Sequence, residues 1–360
     1  MSVTSLRSRA AVLAVLAATA LLAACSRASE APATDAPAAN ASPAAELRLG
    51  YFPNITHAPA IIGVAQNTFA QELGTGTKLT TQTFNAGPDE VNALLGGSLD
   101  AGFIGSSPAI NAFAKSNGAI RLISGSTSAG AQLVTSPDIT SPEQLKGKTI
   151  ATPQLGNTQD VSLKKWLKQN NLEIGTGPDK VTVQNIDNSK TLDLFKQGQV
   201  AGGWLPEPWS SRLVDAGAKV LVDEKSLWAN GKFPTTVLIV RTDFLAQHPQ
   251  TVEALLRATQ KSVDFATTNT DQAKKITNDS IKQLTGSSLS QPVLDRAFTE
   301  LSFDTDPLAS TFPQLSKDSV TAGATQTETK LTGFLDVAAL NKVRQADGKT
   351  PVDAAGLDKS

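Results

Sequence analysis

The chain is poor in the side chains that metal and thiol chemistry need. It has one cysteine and two histidines in 360 residues. A structural zinc site takes four nitrogen or sulfur ligands, so none is implied, and one cysteine cannot build a disulfide framework. Neither charge is in excess. Lys+Arg is 32 against Asp+Glu 33, which gives no global field for nucleic acid or a lipid surface. There is no Walker loop, no dinucleotide fingerprint and no His–Glu metal pattern. The nearest approach to a nucleophile elbow is Ser126-Thr127-Ser128-Ala129-Gly130, with serine where the first glycine belongs. The sequence implies no catalytic residues and no cofactor.

What is present starts at the N-terminus. Arg7 and Arg9 precede an apolar run, "AAVLAVLAATALLAA" (10–24), which has the length of a secretory signal. It is too short for a comfortable membrane span of about 20 apolar residues. It ends in Leu22-Ala23-Ala24-Cys25, which resembles a bacterial lipobox. In that motif the cysteine is lipid-modified, palmitate included, and becomes the mature N-terminus. The expected organisation is a signal peptide over 1–24, then a lipidated Cys25 with a flexible Ala/Pro/Ser/Thr tether over 25–45. The protein is expected to be exported and held at the outer face of the cell membrane, or its periplasmic side, by lipid alone.

Beyond the tether, short apolar runs alternate with helical patterns, as in α/β units. Strands are expected at 47–52, 99–104, 120–127, 131–135, 148–153 and 236–241, and helices at 58–69, 89–97 and 158–171. An internal echo organises them: "GSLDAGFIGSS" (97–107) lies over "GQVAGGWLPEP" (198–208), so Gly102 meets Gly203 and Phe103 meets Trp204. Strand, turn and helix at 47–60 recur in plan at 148–163. The reading is two similar α/β lobes: 46–135 plus 236–345 as the first, 136–235 as the second, and 346–360 as a tail. The chain would cross between lobes near 135–137 and 233–236.

In open α/β sheets ligands sit at the carboxyl ends of strands. Most residues of the corners there are neutral donors: Asn54, Thr56 and His57; Ser106 and Ser107; Ser128; Asn157, Thr158 and Gln159; and Trp204 in "WLPEPWSS". The acid of that stretch, Glu207, reads either as a cleft residue, from its place opposite Ser106 in the echo, or as a partner of the helix dipole. Donors and helix N-termini aimed at one point suit an oxyanion. For each corner taken alone the ordinary role is helix capping, and Trp204 reads as a core or cleft-wall residue rather than a dedicated stacking site.

"LRLGYFPNITHAPAIIG", "FNAGPDEVNALLGGSLDAGFIGSSPAINAF", "SPEQLKGKTIATPQLGNTQDVSLKKWL" and "VAGGWLPEPWSSRLV" together resemble substrate-binding lipoproteins of ABC importers in the aliphatic-sulfonate/taurine/nitrate class. The resemblance implies a two-lobed type II periplasmic-binding fold, with the ligand cleft between lobes joined by two hinge crossings. It implies a monomer that binds a small anion, an aliphatic sulfonate first, and docks on a membrane permease without touching nucleic acid. Many sulfonate binders of that class read Gly-Asp-x-Pro where this chain has Gly105-Ser106-Ser107-Pro108, and the missing acid suggests a ligand without an ammonium group. Nitrate, bicarbonate and pyrimidine-type thiamine precursors are the alternative ligands. An enzyme of the related pyrimidine-synthase type is the non-transport alternative.

Overall fold

The computed structural model describes residues 42–358; Cys25, the signal segment and most of the expected tether lie outside them. From its first described residues the chain is pinned: the Ala44 N–H donates to Thr251 Oγ1 at 2.8 Å and the Thr77 hydroxyl donates to Ala44 O at 2.6 Å. The strands are β1 (Glu46–Tyr51), β2 (Lys78–Thr83), β3 (Ala101–Ile104), β4 (Ile120–Ala129), β5 (Ala131–Thr135), β6 (Thr149–Thr152), β7 (Thr182–Asn185), β8 (Gly202–Pro206), β9 (Lys219–Asp223), β10 (Pro234–Arg241) and β11 (Leu301–Phe303). They form two sheets with helices packed on them, ordered β11-β4-β10-β3-β1-β2 and β7-β6-β8-β5-β9. Each sheet anchors one lobe. β10, "PTTVLIVR", is buried along nearly its whole length, as a central β-branched strand should be. β2, "KLTTQT", is largely exposed and polar, which suits an edge.

The internal echo is a structural repeat. β3 pairs in parallel with β1 and antiparallel with β10. β8 likewise pairs in parallel with β6 and antiparallel with β5. Gly102 sits opposite Gly50 and Gly203 opposite Ala151, so the two glycines matched in sequence hold the same rung. Each lobe has its own core, with Leu49, Phe103 and Ile239 in the first and Leu133, Ile150 and Trp204 in the second.

Two sequence-based boundaries move. The strand Ala131–Thr135 belongs to the second sheet, so the first crossing falls at Gly130 and not near 135–137. Ala129 and Gly130 both take left-handed φ angles, 68° and 73°, and this turns the chain from one sheet to the other within one residue. A left-handed alanine gives no sequence signal. The second crossing runs through residues 224–233 into β10. The expected tail is also part of the first lobe: Val352, Ala354 and Leu357 are buried, and the Leu335 N–H donates to Leu357 O at 3.2 Å. Among the described residues no helix is long and apolar enough to cross a membrane, and no cluster of three His, Cys, Asp or Glu could hold a metal.

One acid lies inside the first core. Glu90 projects between Gly50 and Gly102; a Cβ at either would stand 2.3 or 2.2 Å from its Oε1. Both its carboxyl oxygens are buried without a partner, and burial pushes the carboxyl well above the usual range. The unfolded chain releases this proton near pH 4.3 while the folded chain keeps it, so stability falls as pH rises above that value. Glu90→Met is therefore expected to raise stability at pH 7 by at least about 1–3 kcal/mol and to gain much less at pH 4. Denaturant titrations at both pH values check this; equal gains would contradict it.

Candidate functional site

The first corner follows β1. Asn54 opens a 3-10 turn, Ile55–His57, that leads into the helix Ala58–Ala65 with Pro59 in its first turn. Its side chain caps nothing. Instead its Oδ1 accepts the Trp209 Nε1–H at 3.0 Å, a bond between the lobes. His57 is buried and stacked on Phe52, ring centroids 4.3 Å apart. Its Nδ1 accepts the Phe52 N–H at 3.3 Å, which places the ring proton on Nε2. Burial pulls its pKa down to about 3. His57 is a neutral donor at any ordinary pH.

The serine corner follows β3. Gly105 is the N-cap of the helix Ser106–Lys115, and Ser106 and Ser107 are its first two residues. A capping role for their side chains is thereby removed. Both are fully buried, and neither hydroxyl has a partner. Leaving such groups unpaired costs about 1–3 kcal/mol each, so they call for an explanation outside the fold's own bonding.

Facing them is the helix Thr158–Gln169, with Asn157 as an N-cap whose side chain caps nothing. Its Nδ2 donates to Gln159 Oε1 at 3.3 Å, and Thr158 Oγ1 accepts the Ser107 N–H at 3.4 Å across the lobes. Asp160 fixes this corner. It accepts from Thr152 Oγ1 (3.0 Å), Gly156 N (2.9 Å), Asn185 Nδ2 (2.9 Å) and Lys164 Nζ (2.8 Å). The two helix N-termini approach closely because Gly105 lacks a side chain: a Cβ there would stand 2.6 Å from Thr158 Oγ1.

Between these corners lies a cavity with about 20 Å³ open to the centre of a water molecule. Of the expected residues, Asn54, Thr56, His57, Asn157, Thr158 and Gln159 line it; so does Gly105, the residue before the two serines, while Ser106 and Ser107 themselves are not among its lining. No Lys, Arg, Asp or Glu lines it. Asn85, Asn188, Thr235 and Thr236 also line it and were missed by sequence reasoning. Asn85 follows β2 and Asn188 follows β7, the edge strands in parallel beside β1 and β6, so extending the internal repeat by one unit would have found both. Asn54, Asn85 and Asn188 also border an adjoining cavity of about 240 Å³ on the same measure, walled by Pro53, Phe84 and Trp209.

Three expected residues stand elsewhere. Trp204 is buried in the second core, its Nε1–H donated to Glu224 Oε2 at 2.7 Å. Glu207 is buried away from the cavity, accepting from Arg296 Nη1 at 3.0 Å and from Ser211 N at 3.2 Å; burial raises its carboxyl above the usual range against the pull of these partners. Ser128 accepts the Phe233 N–H at 3.2 Å and borders a separate small cavity beside Lys232 and Asp304.

The model of the NMT1-like family matches residues 40–278. The taurine-binding periplasmic protein of Escherichia coli is 30% identical over 204 residues, which cover 56% of this chain and 60% of that protein's length. The alkanesulfonate-binding protein SsuA from Xanthomonas axonopodis pv. citri, solved with MOPS bound, has a TM-score of 0.65 at 20% identity, covering 81% of this chain and 96% of that one. The periplasmic nitrate-binding protein NrtA from Synechocystis has a TM-score of 0.64 at 15% identity, covering 84% and 89%. At such identities the likeness establishes the fold, the two-lobed periplasmic-binding architecture.

Proposed function

The chain belongs to the NMT1-like family, and on that premise we propose that it is the extracytoplasmic solute-binding component of an ABC importer. It captures a small oxyanion between its lobes, an aliphatic sulfonate before nitrate or bicarbonate, and delivers it to a membrane permease. The observation that carries this reading is the pair of buried, unpartnered hydroxyls of Ser106 and Ser107 at a helix N-terminus, facing a second helix N-terminus at Thr158. Hydroxyls and helix N–H groups together bind oxyanions without a cation. The adjoining cavity walled by Phe84 and Trp209 favours an organic anion, whose substituent it would receive. The taurine-binding relative bears the name of a binding protein, and no Lys, Arg, Asp or Glu lines the smaller cavity between the corners, while Asp187 lines the adjoining one.

A panel of thermal shifts with ethanesulfonate, longer alkanesulfonates, taurine, nitrate, sulfate and bicarbonate tests the reading. At least one should raise the melting temperature in a concentration-dependent way. No shift with any of them would contradict it.

The tether completes the proposal. Cys25 follows the lipobox-like Leu22-Ala23-Ala24 and would carry the acyl chains that hold the exported protein at the membrane. Cys25→Ala is expected to move it to the soluble exported fraction or leave the unprocessed precursor. Normal lipid labelling of the variant would contradict the anchor.

A further inference from the structure

A further buried acid, Glu224, stands beside a contact between the lobes and outside the lining of the oxyanion cavity. Glu224 begins the segment that leads back to the first lobe, and it is 1% exposed. Its Oε1 accepts from Ser162 Oγ and its Oε2 from Trp204 Nε1, each at 2.7 Å. The charge facing it from the helix Thr158–Gln169 is Lys165, which lies 5.6 Å over the Trp228 ring. The flanking Asp223 and Lys225 are engaged with each other, and Lys225 also with Glu300 at 2.7 Å.

Lys165 has a second partner. Its Nζ stands 3.3 Å from Asp318 Oδ2, with both side chains largely buried. Asp318 lies on the helix Phe312–Thr321, whose Phe312 and Leu315 belong to the first core. The Lys165 ammonium thus pairs with Asp318 of the first lobe and acts on Glu224 of the second from beyond ion-pair distance, one helical turn after Ser162. We propose that Glu224, Lys165 and Asp318 couple closing of the lobes to the uptake of one proton from solvent onto Glu224.

The direction follows from the geometry. With the lobes together, Asp318 shares the Lys165 charge and brings a second negative charge near; both effects favour the protonated Glu224. With the lobes apart, Asp318 withdraws and the Lys165 charge is left to Glu224, which favours the carboxylate. Burial holds the Glu224 pKa at about 7 in the present arrangement, so the uptake falls in an accessible pH range. His57, at about 3, titrates well below it.

This coupling rests on the proposed capture of an oxyanion by lobe closure. Closing on ligand takes up a proton, so affinity falls as pH rises through the window, by at most tenfold per unit for one proton. Calorimetric titration with ethanesulfonate between about pH 5 and pH 8.5, in buffers free of sulfonate, should show Kd rising several-fold per unit as pH rises toward about 7 and levelling off above it, where Glu224 is ionised with the lobes together or apart. Glu224→Gln should abolish the slope. Asp318→Asn, which can keep the bond from Gln314 to its remaining oxygen, should reduce it, and melting curves show that each variant is folded. A flat profile in the unmodified protein, or one slope shared by all three proteins, overturns the coupling and leaves the oxyanion reading standing. No binding at any pH overturns that reading and the coupling with it.

Discussion

Ser106→Ala, Ser107→Ala and Thr158→Ala are each expected to weaken oxyanion binding roughly 10- to 150-fold. A hydrogen bond to a charged partner contributes about 1.5–3 kcal/mol, and about 1.4 kcal/mol is tenfold in Kd. Stability should behave in the opposite way at the serines. Their hydroxyls are buried and unpartnered, so alanine removes an unsatisfied group, and the melting temperature should hold or rise. Thr158 accepts only a long bond from the Ser107 N–H, 3.4 Å, so its loss should cost little. Calorimetry beside melting curves separates binding from folding. Unchanged affinity with lowered melting temperature in all three would show that the serines and Thr158 serve the fold alone.

Asp160→Ala is expected to cost both stability and affinity. The carboxylate is wholly buried in the second lobe and gathers donors from β6, the residue after β7's first three, the Gly156 backbone and Lys164. Breaking a buried pair by removing one partner typically costs about 3–5 kcal/mol. The loss should also loosen the turn that presents Asn157, Thr158 and Gln159, so ligand affinity should fall even at temperatures where the variant is folded. Asp160→Asn retains part of the acceptor set and should lie between. Wild-type stability in Asp160→Ala would mean that the corner is held by something other than this carboxylate.

Much of the site was legible because its chemistry is local. Each corner is a strand end followed by polar residues and a helix start, and such a pattern is written within a dozen consecutive positions. The match of Gly102 with Gly203 was legible for the same reason, since both glycines occupy one rung of a repeated ladder. What escaped depends on contacts between distant segments. Glu207 looked like a cleft residue from its place opposite Ser106 in the echo, but Arg296, 89 residues further on, draws it away from the cavity. Trp204, read as core or cleft wall, lies in the core, and which of the two it would be depended on Glu224, which supplies an acceptor for its indole. The crossing at Gly130 turns on a left-handed Ala129, a backbone state that the alanine side chain does not announce. The burial of Glu90 and Glu224 was invisible for a related reason: it depends on Gly50 and Gly102 in one case and on Ser162 and Trp204 in the other, all on other segments of the chain.

The most direct test of the central claim is a crystal structure of the protein with ethanesulfonate bound. The account predicts sulfonate oxygens within about 2.7–3.2 Å of donors from both lobes, the Ser106 or Ser107 hydroxyl on one side and Asn157 or Thr158 on the other, with the ethyl group directed toward Phe84 and Trp209. An anion seated elsewhere, with both serine hydroxyls bonded to protein atoms, would contradict it.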